Sequence, residues 1–382
     1  MRPHEFLLGG KCIGAGPKVF VIAEIGINHD GSLEQARKLI DAAAEAGADA
    51  VKFQTFRAER LMVASQDRLP QQHGAGETAQ EMFRRLELSR QDHRILKDHA
   101  DRRGLLFLST PFDEESADFL DSLGVPAFKV ASADLTHRPL LRHLAGKGKP
   151  ILLSTGMSFL REVEEAVSTL RDGGARDILL FHCVSCYPAP PDSLNLKAIR
   201  TLQKRFGLPV GFSDHSEGTM FSLVAASLGA CVLERHFTLD RRAPGPDHRV
   251  SLEPDELRGL IRDLARVKQS LGTGRKQPAA AEETGRKLAR RSLVAAVDIG
   301  IDEAIEPWMI ACKRPGGGVD PREFDRVIGR RACRHLSRDS VIHWFDLTPG
   351  PETAGAGAPE PERTAGRPLE GGESLQGRDI DA

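Results

Sequence analysis

The chain has 382 residues, with 53 Lys and Arg against 54 Asp and Glu, a formal net charge of −1. That length allows more than one domain, and the missing basic surplus argues against binding nucleic acid through its phosphates. No apolar run reaches the ~18 residues of a membrane span, the N-terminal MRPHEFLLGGK lacks a signal-type apolar core, and six scattered cysteines fit a reducing cytoplasm.

Apolar, β-branched runs recur along the chain with helical patterns between them. They predict strands at 19–25, 50–54, 105–109, 127–131, 150–154, 178–183, 209–213 and 231–236. Ser32 is a plausible N-cap for the first helix, with Leu33, Ala36, Ile40 and Ala43 on one face and Gly47 as its stop. Ser158 could begin another, with Val163, Val167 and Leu170 on one stripe and Gly173 after it. Eight strand–helix units over about 250 residues predict a (β/α)₈ barrel within 1–271. A long connection, 55–80, interrupts the second unit and reads as an active-site loop. The polar, Gly/Pro/Ala-rich stretch 272–289 reads as a linker, and 290–347 as a small domain of short strands and turns. The tail, 348–382, is too poor in apolar residues to offset its ordering entropy, so disorder is expected there.

In such barrels the chemistry sits at the C-terminal ends of the strands. Here those ends carry, in order, Glu24; Lys52 and Gln54; Ser109 and Thr110; Lys129 and Ser132; Ser154 and Thr155; His182, Ser185 and Tyr187; Ser213, Asp214 and His215; and Glu234 and His236. All are expected to converge on one mouth. Lysines 52 and 129 on apolar strands, beside several hydroxyls, suit a multiply charged anion such as a phosphate with a carboxylate. His215 and His236 end adjacent strands, so they could share a divalent cation acting as a Lewis acid. Glu24 is positioned as a base, or as the partner of a lysine. Cys183 and Cys186 form a C-x-x-C with no second pair to complete a zinc site, and that spacing reads as incidental.

The stretches AEIGINHDGSLEQARKLIDAAAEAGADAVKFQ, STPFD, FKVASADLTHRPLL, LLSTGM, GFSDHSEG, LERHFT and GPDHRVSLEP resemble the sialic acid (N-acylneuraminate) synthases. RSLVAAVDIG, KRPGGG and VIGRRACRHL resemble the C-terminal antifreeze-like (SAF) domain of those enzymes, so the likeness spans about 18–347. The resemblance implies condensation of phosphoenolpyruvate (PEP) with an N-acylmannosamine-type aldehyde, giving a nine-carbon 2-keto-3-deoxy acid and phosphate. It implies that Lys52, Thr110, Lys129, Ser132, Ser154, Ser185 and Ser213 bind PEP. Gln54, Asp134, Tyr187 and Asp247 would meet the sugar. Glu24, Glu234 and His236 would be catalytic, and His215 with His236 would hold Mn²⁺ or Mg²⁺. Arg314 would reach into a partner subunit, implying a domain-swapped homodimer. Ser185 stands where some members have Asn, and Asp134 where some have Glu, which bears on the sugar's identity. Legionaminic and pseudaminic acid synthases belong to the same family. A synthase of the 3-deoxyoctulosonate-phosphate type is the alternative enzyme reading. A non-catalytic sugar- or ice-binding protein is the alternative of another class.

Overall fold

The computed structural model describes residues 5–14, 16, 18–64 and 77–349. The expected disorder of 348–382 therefore falls almost wholly outside the described residues, as does part of the long connection at 55–80. The chain divides into two compact units, with the boundary between Gly274 and Arg275.

The first unit opens with an antiparallel hairpin, β1 (Phe6–Leu8) and β2 (Lys11–Ile13). Gly9 and Gly10 make its two-residue turn, both at positive φ, a conformation cheap only for glycine. Eight parallel strands follow: β3 (Phe20–Gly26), β4 (Ala50–Thr55), β5 (Leu106–Pro111), β6 (Phe128–Val130), β7 (Ile151–Ser154), β8 (Ile178–Cys183), β9 (Val210–Asp214) and β10 (Val232–His236). They are ordered β5-β4-β3-β10-β9-β8-β7-β6, and the end strands β5 and β6 pack side by side, closing a barrel. Each predicted strand is present, displaced by a residue or so.

Helices face the strands through one large apolar layer that includes Leu39, Phe53, Phe107, Leu153, Leu180 and Phe212. The first helix, Leu33–Ala46, starts as its sequence predicts. Ser32 accepts a hydrogen bond from the Gln35 amide, and Gly47 closes the helix in the left-handed region. The helix expected at Ser158 begins two residues later, at Leu160. Inside the barrel, Phe20, Ile22, Leu108, Leu152, Leu179 and Phe181 pack with Phe6, Leu8 and Ile13 of the hairpin. The hairpin thus supplies apolar side chains to the barrel interior. The polar groups are left to the strands' other ends.

The second unit is built on its own core around Leu293, Ile299, Ile305, Val327, Leu336 and Ile342. Strands β11 (Ser292–Ala295) and β12 (Ile310–Lys313) pair antiparallel, and isolated bridges extend the pairing. The stretch read as a linker contains a short exposed helix, Glu283–Ala289, with a Glu283–Lys287 ion pair at 3.6 Å.

Candidate active site

A lysine on a buried strand must find partners or lose its charge, because desolvation alone costs several kcal/mol. Lys52 and Lys129 are each 3 % exposed. Lys52 Nζ lies 2.8 Å from Glu24 Oε2 and 3.7 Å from Glu234 Oε1. It also donates to Thr110 Oγ1 at 3.2 Å. Lys129 Nζ donates to Ser154 Oγ at 2.5 Å and to the Val130 carbonyl at 3.3 Å. It too lies 3.7 Å from Glu234 Oε1. Ser213 Oγ donates to that same oxygen at 3.1 Å. Glu234 is therefore the hub of the cluster, shared between two cations. Its second oxygen, Oε2, is buried with no hydrogen-bond partner.

The charge states follow from these contacts. Burial pushes the Glu234 carboxyl up, but Lys129 and Lys52 outweigh it and hold the group below its usual range. Burial lowers Lys129, against the pull of Glu234. Burial would also lower Lys52, but Glu234 and Glu24 together raise it. Glu24 is pushed up to about 7, chiefly by burial, with Lys52 pulling it down and Glu234 pushing it further up. Its other oxygen accepts from Gln54 Nε2 at 3.3 Å. Two ammonium groups thus share one firm carboxylate, and the second carboxylate is poised to carry or release a proton near neutrality. Such a cluster has the charges to pair with an anion.

Next to it lies a small polar cradle. Ser132 Oγ accepts from the Gly156 amide at 3.0 Å and lies 3.1 Å from Cys183 Sγ. Ser185 Oγ lies 4.0 Å from the same sulfur. A Cβ on Gly156 would stand 2.5 Å from Ser185 Oγ and 2.8 Å from both Ser132 Oγ and Cys183 Sγ. Only glycine lets these groups surround the backbone there. Asp134 ends the turn Ser132–Asp134, with Oδ2 buried and unpartnered. Burial pushes its carboxyl up to about 6, while His137 and Lys129 pull it down.

On the other side, His215 and His236 have ring centroids 5.4 Å apart. The Tyr187 ring stacks on His215 at 4.2 Å and meets His236 edge-on at 5.7 Å. His215 Nδ1 lies 2.8 Å from the Val184 carbonyl, which assigns the proton to Nδ1 and the lone pair to Nε2. Nε2 is 3.4 Å from Ser213 Oγ. His236 Nδ1 is buried without a hydrogen bond, 3.5 Å from Asp247 Oδ2. Burial lowers His215 to about 4 and His236 well below its ordinary value, so both rings are neutral at pH 7. Neutral imidazoles, one fixed by a carbonyl through its other nitrogen, suit a divalent cation. Among the described residues no group of three or more His, Cys, Asp or Glu has the geometry to hold a metal. Two imidazoles would leave the remaining positions to water and substrate. Asp247 itself is pushed up to about 6 by burial, against the pull of His248 and Lys52.

Three strand-end groups expected at the mouth face away from it. Successive side chains on a strand point to opposite faces. Ser109 lies 2.7 Å from Thr55 Oγ1, which in turn meets His93 of the helix Arg90–Arg102 at 2.9 Å. His182 bonds the Leu194 carbonyl at 2.7 Å and stacks on Phe212. Asp214 pairs with Arg235, also on the helix side. Thr155 spends its hydroxyl on the Phe181 carbonyl at 2.8 Å. The sequence reading missed Cys183 and Gly156 as parts of the cradle. Period-two alternation along ILLFHC says that only one of His182 and Cys183 faces the mouth, without saying which. Arg314 belongs to the second unit, directly after β12.

A closed parallel barrel with a charged cluster at the C-terminal ends of its strands is the architecture of a barrel enzyme. Comparison with known proteins makes the class specific. Residues 39–276 match the NeuB family and residues 290–348 the SAF domain, and the chain belongs to the NeuB family. It is 41 % identical over 351 residues to an N,N'-diacetyllegionaminic acid synthase of Legionella pneumophila, covering 90 % of this chain and 99 % of that one. It is 35 % identical over 340 residues to the N-acetylneuraminate-9-phosphate synthase of Homo sapiens, covering 88 % and 94 %. The crystal structure of an N-acetylneuraminic acid synthetase from Leptospira borgpetersenii, in complex with citrate, superposes with a TM-score of 0.67 at 36 % identity, covering 74 % of this chain and 95 % of that one.

Proposed function

We propose that the chain condenses PEP with an open-chain N-acylated amino sugar, giving a nine-carbon 2-keto-3-deoxy acid and inorganic phosphate. The observation that carries this reading is the pair of buried lysines sharing Glu234 beside the Ser132–Gly156 cradle. PEP brings a phosphate and a carboxylate that two such cations can neutralise. Lys129, Ser132, Ser154, Ser185 and Ser213 hold its phosphate end. Lys52 and Thr110 hold its carboxylate side.

Carbon 3 of PEP attacks the sugar's aldehyde carbon, while a water oxygen adds to carbon 2. The resulting carbon 2 then expels phosphate with its bridging oxygen and becomes the ketone. Ionised Glu24 takes one proton of that water, which ends on the former aldehyde oxygen as the new hydroxyl; the second leaves with the phosphate as carbon 2 becomes the ketone, and Lys52 beside Glu24 stabilises its ionised form. Gln54 fixes the orientation of the Glu24 carboxylate. A divalent ion, Mn²⁺ or Mg²⁺, held by His215 and His236 would polarise the aldehyde oxygen as negative charge develops there. Tyr187, Asp134 and Asp247 line the sugar's place. Arg314 of a second subunit completes it in a domain-swapped homodimer.

The test is to incubate the purified chain with PEP, Mn²⁺ and a sugar panel, and to follow phosphate release and product mass. The panel holds N-acetylmannosamine, 2,4-diacetamido relatives and a phosphorylated pentose. A nine-carbon keto acid with one phosphate released per product is expected. An eight-carbon phosphorylated product would instead assign the 3-deoxyoctulosonate-phosphate reaction.

A further inference from the structure

Between the mouth groups of β9 and β10 stand two residues that face the helices. Asp214 directly precedes His215, and Arg235 directly precedes His236. The two are cross-strand partners in the β9–β10 ladder. Arg235 Nη1 lies 2.6 Å from Asp214 Oδ2, and the two side chains are 1 % and 0 % exposed. Arg235 Nη2 also donates to the Ser216 carbonyl at 2.9 Å. Asp214 Oδ1 accepts from the Ser216 amide at 2.9 Å and from its hydroxyl at 2.6 Å. Asp214 Oδ2 accepts from Ser222 at 2.5 Å, on the next helix, Met220–Ser227. One carboxylate therefore ties together two strands, the turn that carries His215, and the helix after it.

A fully buried ion pair is a poor device for stability, because desolvation cancels much of its attraction and apolar packing would serve as well. What such a pair does supply is a fixed geometry. This one joins the backbone positions just before both imidazoles. We propose that the Asp214–Arg235 pair is a positioning element that sets the separation and orientation of His215 and His236 as cation ligands. The inference rests on the reading of those two histidines as the metal-holding groups. It makes Asp214, Arg235 and Ser222 positioning residues, none of which touches substrate.

The experiment is a titration of the metal-free full-length chain with Mn²⁺, without substrates, reading free Mn²⁺ by electron paramagnetic resonance. The wild type is compared with Asp214→Asn and Ser222→Ala, and thermal unfolding is recorded for each. Mn²⁺ binding is expected to weaken on the order of 10–100-fold in Asp214→Asn, as for other groups that orient metal ligands. In Ser222→Ala it should weaken by a smaller factor. PEP binding measured without metal should stay within about twofold, since the lysine cluster lies on the inward face. If Asp214→Asn does not fold, Ser222→Ala carries the comparison alone. Folded variants that bind Mn²⁺ like the wild type, with only a lowered melting temperature, would reduce the pair to a structural role. A wild type that takes up no Mn²⁺ would overturn the metal-holding reading, and this inference with it.

Discussion

The inward and outward faces of the same strand ends have opposite chemistry. Inward lie Glu24, Lys52, Lys129, Ser213, Glu234 and the two histidines, with Glu234 Oε2 and His236 Nδ1 buried and making no hydrogen bonds. Outward lie Ser109, His182 and Asp214, each bonded to a helix-side or backbone partner. Proteins satisfy buried polar groups wherever they can. Arg235 is the outward exception: its Nε and Nη1 are buried without hydrogen bonds, although the guanidinium pairs with Asp214 at 2.6 Å. Polarity at a strand end therefore does not by itself mark a catalytic group; on the inward face the charged groups converge on one cluster around Glu234.

The largest effect that could break this contrast lies at Glu24. Glu24→Gln should lower turnover about 10²–10⁴-fold, the usual worth of a positioned general base, with sugar affinity little changed. In the wild type, Glu24 must be ionised to act, and its carboxyl is raised to about 7. The pH profile of kcat/KM should therefore climb through about 7 from the acid side. A flat profile between pH 6 and 8, or normal turnover by the Gln variant, would remove Glu24 as the base.

A smaller effect sits at Lys129. Lys129→Met keeps most of the side chain's length and discards the charge, leaving Glu234 with one cation instead of two. The KM for PEP should rise on the order of tenfold or more, as when one partner of a buried charged cluster is lost. Sugar kinetics should change less. Equal losses for both substrates would mean that the lysine supports the mouth as a whole.

The smallest effect is expected on the outward face. Ser109→Ala removes a hydroxyl bonded to Thr55 and should cost about 1 kcal/mol of stability. Its kinetic constants should stay within about twofold of the wild type. A large fall in kcat there would blur the division between the two faces.

Much of this was legible in the sequence, for physical reasons that can be named. Apolar β-branched runs such as VFVIAEI and ILLFHC have little choice but a buried parallel strand, so the barrel could be counted. The first helix was readable from its cap and its stop, because Ser32 and Gly47 each do one local job. The hairpin at Phe6–Ile13 was missed, since three-residue strands give too short a pattern, although the Gly9–Gly10 pair marked its turn. The facing of Ser109 against Thr110, or His182 against Cys183, depends on the phase of the pleat at the strand's last residues. Residue type alone does not carry that phase. The role of Glu234 as hub needed three-dimensional distances, because its partners come from β4, β6 and β9.

If Glu24 delivers water to carbon 2 of PEP, phosphate leaves by carbon–oxygen cleavage. The direct measurement is mass spectrometry of the phosphate released when the reaction runs in H₂¹⁸O with a sugar that is turned over. Unlabelled phosphate is expected, since its fourth oxygen is the former bridging atom of PEP. Phosphate carrying solvent ¹⁸O would show that water attacks phosphorus, and the role given to Glu24 and its lysine would then be wrong.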